Sequence, residues 1–239
     1  MVLAYEGTNY AGFQLQKNGP TVQGELETAL QRITCESVTI YGAGRTDAGV
    51  HASGQVVNFL THTKIPVEQL PKAFNSVLPA DILVKSVCEV PVNFHARYSA
   101  QSKTYIYRIY SGVQRPLFER HFVYHYRHSL EVGLMREIIP FILGQHDFKS
   151  FQASGSTVKS TVRTVNYCKL GIHGQEIQLI INADGFLYHM VRNIVGTLIL
   201  LGVGKLSRQD FQHIMTAKSR TLAGPTVPAQ GLCLAEVIY

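Results

Sequence analysis

A segment of small residues, 42–52, lies between two stretches that predict β-strands. Apolar residues 38–41 precede it and residues 55–60 follow it. Three glycines and three alanines surround one arginine and one carboxylate in it, Arg45 and Asp47. Glycine permits turns that other residues resist, and small side chains let a backbone approach a bulky ligand. Because strands hold both ends, we expect an ordered loop that presents functional residues from a rigid scaffold.

The first half of the chain predicts the element order β-α-β-β-α-β. The first and last strands are expected at residues 2–5 and 82–90. The two middle strands are the stretches on either side of the small-residue segment, residues 38–41 and 55–60. Helices are expected at residues 21–34, where apolar residues recur on one face, and at 67–78, where Pro79 follows. This order is that of a ferredoxin-like unit.

The second half predicts the same order. We expect strands at 103–110, 162–172, 175–183 and 231–238, helices at 129–143 and 187–203, and a short helix that Ser207 and Asp210 open as a capping box. In the helix at 129–143, Leu134, Ile138, Phe141 and Ile142 are expected on the inner face. We therefore predict an α+β fold of two similar ferredoxin-like halves, residues 1–95 and 96–239, with the active-site cleft between them.

The composition is that of a folded protein with a basic surface. Hydrophobic residues make up 46% of the chain and charged residues 16%, which excludes a disordered chain. Twenty-two lysines and arginines against 16 acids give a net charge of +6. This balance suits a polyanionic partner, but many basic proteins never touch nucleic acid.

The cysteine spacing predicts a protein of a reducing compartment, and the apolar runs predict no membrane-spanning segment. The four cysteines are far apart and form no C-x-x-C pair, so we expect each to be a small buried residue. No signal peptide is visible, and the longest apolar run, 194–203, is too short to span a bilayer. We expect a cytoplasmic protein with no membrane partner.

Residues 45–52, RTDAGVHA, followed by GQVV at 54–57, closely resemble the catalytic loop of the TruA family of tRNA pseudouridine synthases. Taken alone, Asp47 in a glycine-rich turn is more often a residue that bonds its own backbone. The resemblance implies instead that Asp47 is the catalytic nucleophile. It also implies that Arg45, beside it, fills the space that a flipped base vacates and holds phosphate or base edges.

A second motif, KTYIYRI at residues 103–109, predicts a strand on which Tyr105 and Tyr107 share one face. Unpaired bases are held by stacking on aromatic rings. The motif resembles the family's Lys-x-Tyr-x-Tyr sequence, whose first tyrosine stacks on the target uracil. The resemblance therefore assigns substrate binding to Tyr105, whereas Tyr107 is expected in the core.

Two later motifs complete the expected site. STVRTV at 160–165 resembles the family segment whose arginine pairs with the catalytic aspartate, which implies that role for Arg163. A nearby guanidinium keeps a carboxylate ionised and aims both its oxygens. ADGFLYHMVRNI at 183–194 resembles the family's active-site wall, which implies that Leu187 packs against the uracil and that Arg192 supports the site.

Three smaller matches extend the resemblance over almost the whole chain: YEGTNYAGFQ at 5–14, GQHDFKSF at 144–151 and PAQGL at 228–232. It implies an isomerase that converts uridine to pseudouridine at positions 38, 39 and 40 of the tRNA anticodon stem-loop. The reaction is an isomerisation and needs no cofactor. Whether Asp47 attacks C6 of the base or C1′ of the ribose stays open. The resemblance also implies a homodimer.

Three alternatives compete with this interpretation. A non-catalytic tRNA-binding or RNA-chaperone protein accounts equally well for the charge, tyrosines and arginines, but not for Asp47 where RNA phosphates would repel it. A metal-dependent nuclease needs several convergent acids, and the loop has one. His121, His125 and His128 are close in sequence, but no cysteine or carboxylate set completes a tetrahedral site. We therefore predict a surface strand there and no metal.

Overall fold

The computed structural model describes residues 1–155 and 158–239. The strands are β1 Val2–Tyr5, β2 Tyr41–Gly42, β3 His51–Asn58, β4 Ile82–Ser86, β5 Ser102–Ser111, β6 Tyr124–Tyr126, β7 Gly144–Asp147, β8 Val162–His173, β9 Glu176–Ala183 and β10 Leu232–Ile238. The helices are α1 Val22–Thr34, α2 Leu70–Asn75, α3 Val132–Glu137, α4 Ile139–Ile142, α5 Met190–Gly202 and α6 Arg208–Ala217. The predicted α+β class is confirmed.

The chain divides into two units. The first comprises Met1–Gln101 with Cys233–Tyr239, and the second comprises Ser102–Leu232. The sequence placed this boundary between residues 95 and 96 and assigned the closing strand to the second half. In the structure β10 from Cys233 onward belongs to the first unit, where Cys233 and Leu234 pair in parallel with the start of β3.

The first unit follows the predicted order β1-α1-β2-β3-α2-β4. Its sheet has β1 in antiparallel pairing with β3 on one side and β4 on the other, and β2 pairs with the far end of β3. Helix α1 begins after Thr21, whose side chain accepts a hydrogen bond from the Gly24 N–H at 3.2 Å. Its apolar face is buried through Val22, Leu26 and Leu30.

The strands around the small-residue segment are displaced from their predicted positions. Residues 38–40 are not in a strand, and β3 already begins at His51. Ile40 is only 1% exposed and its N–H donates to Glu27 Oε1 at 2.9 Å. The burial of Ile40 therefore comes from a coil packed near α1, and strand pairing begins only at Tyr41.

The second unit is built on an antiparallel sheet in the order β5-β9-β8-β7, with β6 parallel to β5. The helix predicted at 129–143 is wrong as a single element, because Pro140 has no N–H and the chain forms the short helices α3 and α4 instead. Leu134, predicted on the inner face, is 40% exposed, whereas Met135 and Ile138 are fully buried.

Helix α5 is the buried helix that the sequence predicted, but it begins at Met190. A Cβ atom at Gly196 would lie 1.8 Å from the Pro225 carbonyl oxygen, so the helix packs directly on that backbone. The capping box of Ser207 and Asp210 is confirmed at the start of α6. Among the described helices, none combines the length and apolar character that crossing a membrane requires.

Of the remaining expectations, one about the cysteines is contradicted and one about the two halves is not tested. The prediction that every cysteine is buried is wrong, because Cys35 and Cys88 are exposed. Cys35 ends α1 in a left-handed conformation with φ of 61°, which places it beyond the helix's apolar face. The similarity of the two halves, and a cleft between them, stay predictions.

Candidate active site

The loop that carries Asp47, residues 43–50 and here called the aspartate loop, joins β2 to β3. Asp47 forms a short antiparallel backbone bridge with Gly12. The Phe13 N–H donates to the Thr46 carbonyl at 3.0 Å, and the Val50 N–H donates to the Asp47 carbonyl at 3.1 Å. Backbone hydrogen bonds on both sides therefore fix the position of the aspartate.

A buried polar network holds the loop from beneath. Gln55 of β3 is fully buried, and its side-chain amide bonds both the N–H and the carbonyl of Gly44. The Tyr5 hydroxyl lies 2.7 Å from Thr46 Oγ1 and 3.4 Å from Gln55 Nε2. Burial raises the pKa of the Tyr5 phenol well above its usual value, so this group stays neutral and serves as a hydrogen-bonding partner.

Gly12 makes close packing against the aspartate loop achievable. Its φ is +114°, in a region that L side chains rarely adopt. A Cβ atom there would lie 2.8 Å from the Thr46 carbonyl oxygen. The approach of the 12–13 backbone to Thr46 and Asp47 therefore requires glycine.

The two functional residues predicted on this loop differ in exposure. Asp47 is half-buried, and Arg45 is exposed. A half-buried carboxylate on a fixed backbone is a suitable nucleophile because its position does not depend on a flexible stem. The exposed guanidinium two positions earlier can meet an anion from solution.

In the second unit, the loop between β9 and α5, residues 184–189, gathers three of the predicted residues. Arg163 lies at the start of β8, where its Nη1 donates to the carbonyl oxygens of Ser160 at 3.0 Å and Val162 at 2.5 Å. A Cβ atom at Gly185 would lie 3.2 Å from Arg163 Nε, so the arginine side chain lies against this loop.

Tyr105 contacts the next residue of the same loop. Its ring centroid lies 4.9 Å from that of Phe186, at an interplanar angle of 80°, a favourable edge-to-face arrangement. Tyr107 is fully buried and its hydroxyl donates to the Pro228 carbonyl at 2.8 Å. Burial raises its pKa well above the usual value. Tyr107 is thus a core residue, as predicted, and the loop contacts Tyr105.

Leu187 and Arg192 follow along the chain. Leu187 is 4% exposed, and half-buried Arg192 donates from Nε to the Val227 carbonyl at 2.8 Å. Their substrate-binding roles stay predictions, as does the pairing of Arg163 with Asp47, which lie in different units.

Sequence reasoning missed two residues of the second unit. Phe186 packs on Tyr105, and its signal was an aromatic residue inside the family motif. Asn193 is fully buried: its Oδ1 accepts from Thr226 and Arg220 at 2.6 and 3.0 Å, and its Nδ2 donates to the Phe151 carbonyl at 2.7 Å. A polar residue in an otherwise apolar helix was the available signal.

The histidine group does not form a metal site. Of the three histidines only His125 lies in β6, and its Nε2 is 2.7 Å from the Gly112 carbonyl oxygen. Within residues 1–155 and 158–239, no group of three or more histidine, cysteine, aspartate or glutamate residues is arranged to hold a metal ion.

Comparison with known proteins identifies the family. The model of a family described as tRNA pseudouridine synthase matches residues 1–99 and 141–239. Relatives named tRNA pseudouridine synthase A are 49% identical in Moorella thermoacetica, 46% in Caldicellulosiruptor saccharolyticus and 46% in Clostridium acetobutylicum, each covering 100% of this chain and 98% of the relative. The chain therefore belongs to the tRNA pseudouridine synthase family, and the resemblance carried by residues 45–52 is confirmed.

One solved structure, from a Cbf5-Nop10-Gar1 complex, aligns with a TM-score of 0.40 and 15% identity. The alignment covers 84% of this chain and 45% of that one. A score this low carries no argument about function.

Proposed function

We propose that the protein converts uridine to pseudouridine at positions 38, 39 and 40 of the tRNA anticodon stem-loop. Membership of the family makes it an isomerase of tRNA uridines. The observation that best supports the proposed mechanism is the position of Asp47, a half-buried carboxylate on a loop held by backbone and buried side-chain hydrogen bonds.

The reaction breaks the bond between ribose C1′ and uracil N1 and forms a bond between C1′ and C5. C5 loses its hydrogen and N1 gains one, so atoms and electrons balance without a redox partner. Asp47 acts as a nucleophile that forms and then releases a covalent intermediate. Attack at C6 of the base and attack at C1′ of the ribose are both within the chemistry of a carboxylate. No cofactor is part of this proposal.

The other residues prepare the target base. Arg163 pairs with Asp47, keeps the carboxylate ionised and aims its oxygens. Tyr105 stacks on the uracil, backed by its edge-to-face contact with Phe186. Arg45 occupies the space that the flipped nucleotide leaves, because a stacked base must leave the helix before a side chain can reach it.

Leu187 packs against the uracil, and Arg192 supports this wall through its hydrogen bond to the Val227 carbonyl. The partner is tRNA, whose phosphates suit a chain with a net charge of +6. We further propose that the protein works as a homodimer in the cytoplasm.

The non-catalytic alternative is not favoured. A protein that only binds or refolds tRNA gains nothing from a carboxylate in a glycine-rich loop, where it repels phosphate. Relatives that match this chain along its whole length carry the name of the enzyme.

The test uses tRNA that carries tritium at uracil C5. C5 loses its hydrogen only when the carbon–carbon bond forms, so released label counts turnover. Transcripts in which uridines 38, 39 and 40 are replaced by cytidine, singly and together, assign the position. We expect release from each remaining uridine and none from the triple replacement. Release that persists in the triple replacement would contradict the assigned position.

A further inference from the structure

A cavity of about 300 Å³ opens in the first unit beside the aspartate loop. Its walls include Arg45 of that loop and three rings: Tyr41, and, from a segment distant in sequence, His95 and Tyr98. We call it the ring cavity. Its volume is at the lower end of the range for small-ligand sites. Asp47 is not among the described residues that line it.

The three rings form two tilted contacts, with interplanar angles of 46° between Tyr41 and His95 and 45° between His95 and Tyr98. The centroids of Tyr41 and His95 are 5.3 Å apart, and those of His95 and Tyr98 are 4.4 Å apart. Tyr41 is 50% exposed and Tyr98 is 77% exposed. Exposed rings beside a cavity offer flat faces to a ligand, and stacking on such faces is how proteins hold unpaired bases.

The segment that presents His95 and Tyr98 is anchored. Ala96 is fully buried, its N–H donates to Asn58 Oδ1 at 2.8 Å, and its carbonyl accepts from the Tyr239 hydroxyl at 2.7 Å. The Ser99 N–H also donates to the His95 carbonyl at 2.9 Å. The backbone that carries His95 and Tyr98 is therefore held in place before a ligand arrives, which lowers the entropic cost of binding.

The charges of the ring cavity select an anionic ligand. Arg45 and Arg97 both line it, and none of the described lining residues carries a carboxylate. The Arg97 guanidinium lies 5.8 Å from the centroid of the Tyr98 ring, which leaves its edge for a phosphate. An exposed aromatic ring with two cations beside it matches a nucleotide, which has both a base and a phosphate.

His95 adds a means of reading the base. Its Nδ1 accepts the backbone N–H of Arg97 at 3.1 Å. This bond is compatible with the neutral tautomer that carries hydrogen on Nε2, which can donate to the edge of a base.

We propose that the ring cavity binds one unpaired nucleotide of the RNA other than the uridine that reacts. The base stacks on Tyr98, the His95 Nε2 donates to its edge, and its phosphate lies between Arg97 and Arg45. This inference rests on the proposed function, because the bound RNA is the substrate tRNA. It makes Tyr98 a positioning residue that acts on substrate binding, not on the bond-breaking step.

The first test measures single-turnover kinetics of tritium release for Tyr98→Ala and Tyr98→Phe. Phe118→Ala is the matched control, because Phe118 is an aromatic residue that is 85% exposed outside the ring cavity. Loss of stacking on one base should raise the half-saturating tRNA concentration of Tyr98→Ala about 5- to 100-fold, with an unchanged maximal rate. Tyr98→Phe and Phe118→Ala should behave as the wild type. An unchanged half-saturating concentration in Tyr98→Ala would overturn the proposal.

The second test removes bases from the RNA. Anticodon stem-loops with a single abasic nucleotide at each non-reacting loop position are titrated against the wild type and Tyr98→Ala. One abasic position should weaken binding to the wild type and make no difference to Tyr98→Ala, since the two changes remove the same contact. Equal weakening of both proteins at every position would overturn the stacking assignment. Tritium release by the wild type on intact tRNA reports separately on the proposed function, so failures of the two proposals are distinguishable.

Discussion

Gln55 bonds the backbone of Gly44 twice: its Oε1 accepts the Gly44 N–H at 3.1 Å, and its Nε2 donates to the Gly44 carbonyl at 2.8 Å. The side-chain amide thus supplies the two hydrogen bonds that the backbone of a neighbouring strand would otherwise make with Gly44. Both groups are buried. The loop that carries Asp47 is therefore tied to the strand that follows it, and its geometry depends on one glutamine.

Replacing this glutamine tests that dependence. Gln55→Leu keeps the side-chain volume but leaves the buried N–H and carbonyl of Gly44 without partners, which should cost about 2 to 4 kcal/mol of unfolding free energy. The maximal rate of tritium release should fall roughly 100-fold, because about 1 Å of misplacement has that effect on a catalytic group. Chemical denaturation and single-turnover kinetics measure both. The exposed Gln145→Leu is the control, and equal effects from the two variants would contradict this role.

Gly12 offers a matched pair of glycine substitutions. Gly12→Ala places a Cβ atom 2.8 Å from the Thr46 carbonyl oxygen at a φ of +114°, so it should destabilise the protein by about 1 to 3 kcal/mol or more. Gly133→Ala lies in α3 with nothing within 4 Å of the new atom and should stabilise by about 0.5 to 1 kcal/mol. Thermal unfolding should show a lower melting temperature for Gly12→Ala and a higher one for Gly133→Ala than for the wild type. A neutral Gly12→Ala would contradict the close approach.

The two tyrosines of β5 are both buried but differ in their contacts: Tyr107 donates to the Pro228 carbonyl, whereas Tyr105 packs on Phe186. Tyr107→Leu should lower the melting temperature, because it truncates a fully buried ring and leaves the Pro228 carbonyl without its donor. Tyr105→Leu should abolish single-turnover release with a smaller loss of stability, whereas Tyr105→Phe keeps the stacking ring and should still bind tRNA. If Tyr107→Leu stops the chemistry at unchanged stability and Tyr105→Leu does the reverse, the assignment along this strand is wrong.

The stability of the second unit is expected to fall in acid, because one of its ion pairs contains Glu176. Hydrogen bonds from Arg108 at 2.6 and 2.7 Å hold the pKa of Glu176 below its usual value. Because the folded pKa is the lower one, this carboxylate stabilises the fold above about pH 4.3, and the contribution is lost as the pH falls through the folded value. The difference in unfolding free energy between the wild type and Glu176→Gln should therefore shrink as the pH is lowered below 4.3. A difference independent of pH would contradict this ion pair.

Local sequence signals predicted the elements that depend on local chemistry. The capping box of Ser207 and Asp210 was visible because both partners lie within one helical turn. The sequence did not show that residues 38–40 are a coil and not the predicted strand. Apolar residues such as Ile40 are buried equally well by a coil packed on a helix. The helix predicted at 129–143 rested on apolar spacing alone, which does not take account of the missing N–H of Pro140.

Site residues were predictable only as far as the motif resemblance extended. Asp47, Arg163 and Tyr105 were selected by motif and not by any local physical signal. The ring cavity was not predictable, because Tyr41, His95 and Tyr98 come together through the anchoring of Ala96 by Asn58 and Tyr239. The contact between Tyr41 and His95, which are distant in sequence, requires the fold.

Single-turnover tritium release, with enzyme in excess over tRNA, shows whether Asp47 is the nucleophile. Asp47→Asn and Asp47→Ala should release no label above the protein-free background while binding tRNA at least as tightly as the wild type, since a charge that repels phosphate is gone. Asp210→Asn, an exposed carboxylate on α6, should release label at the wild-type rate. Measurable release by Asp47→Ala, at any rate above background, would contradict the account.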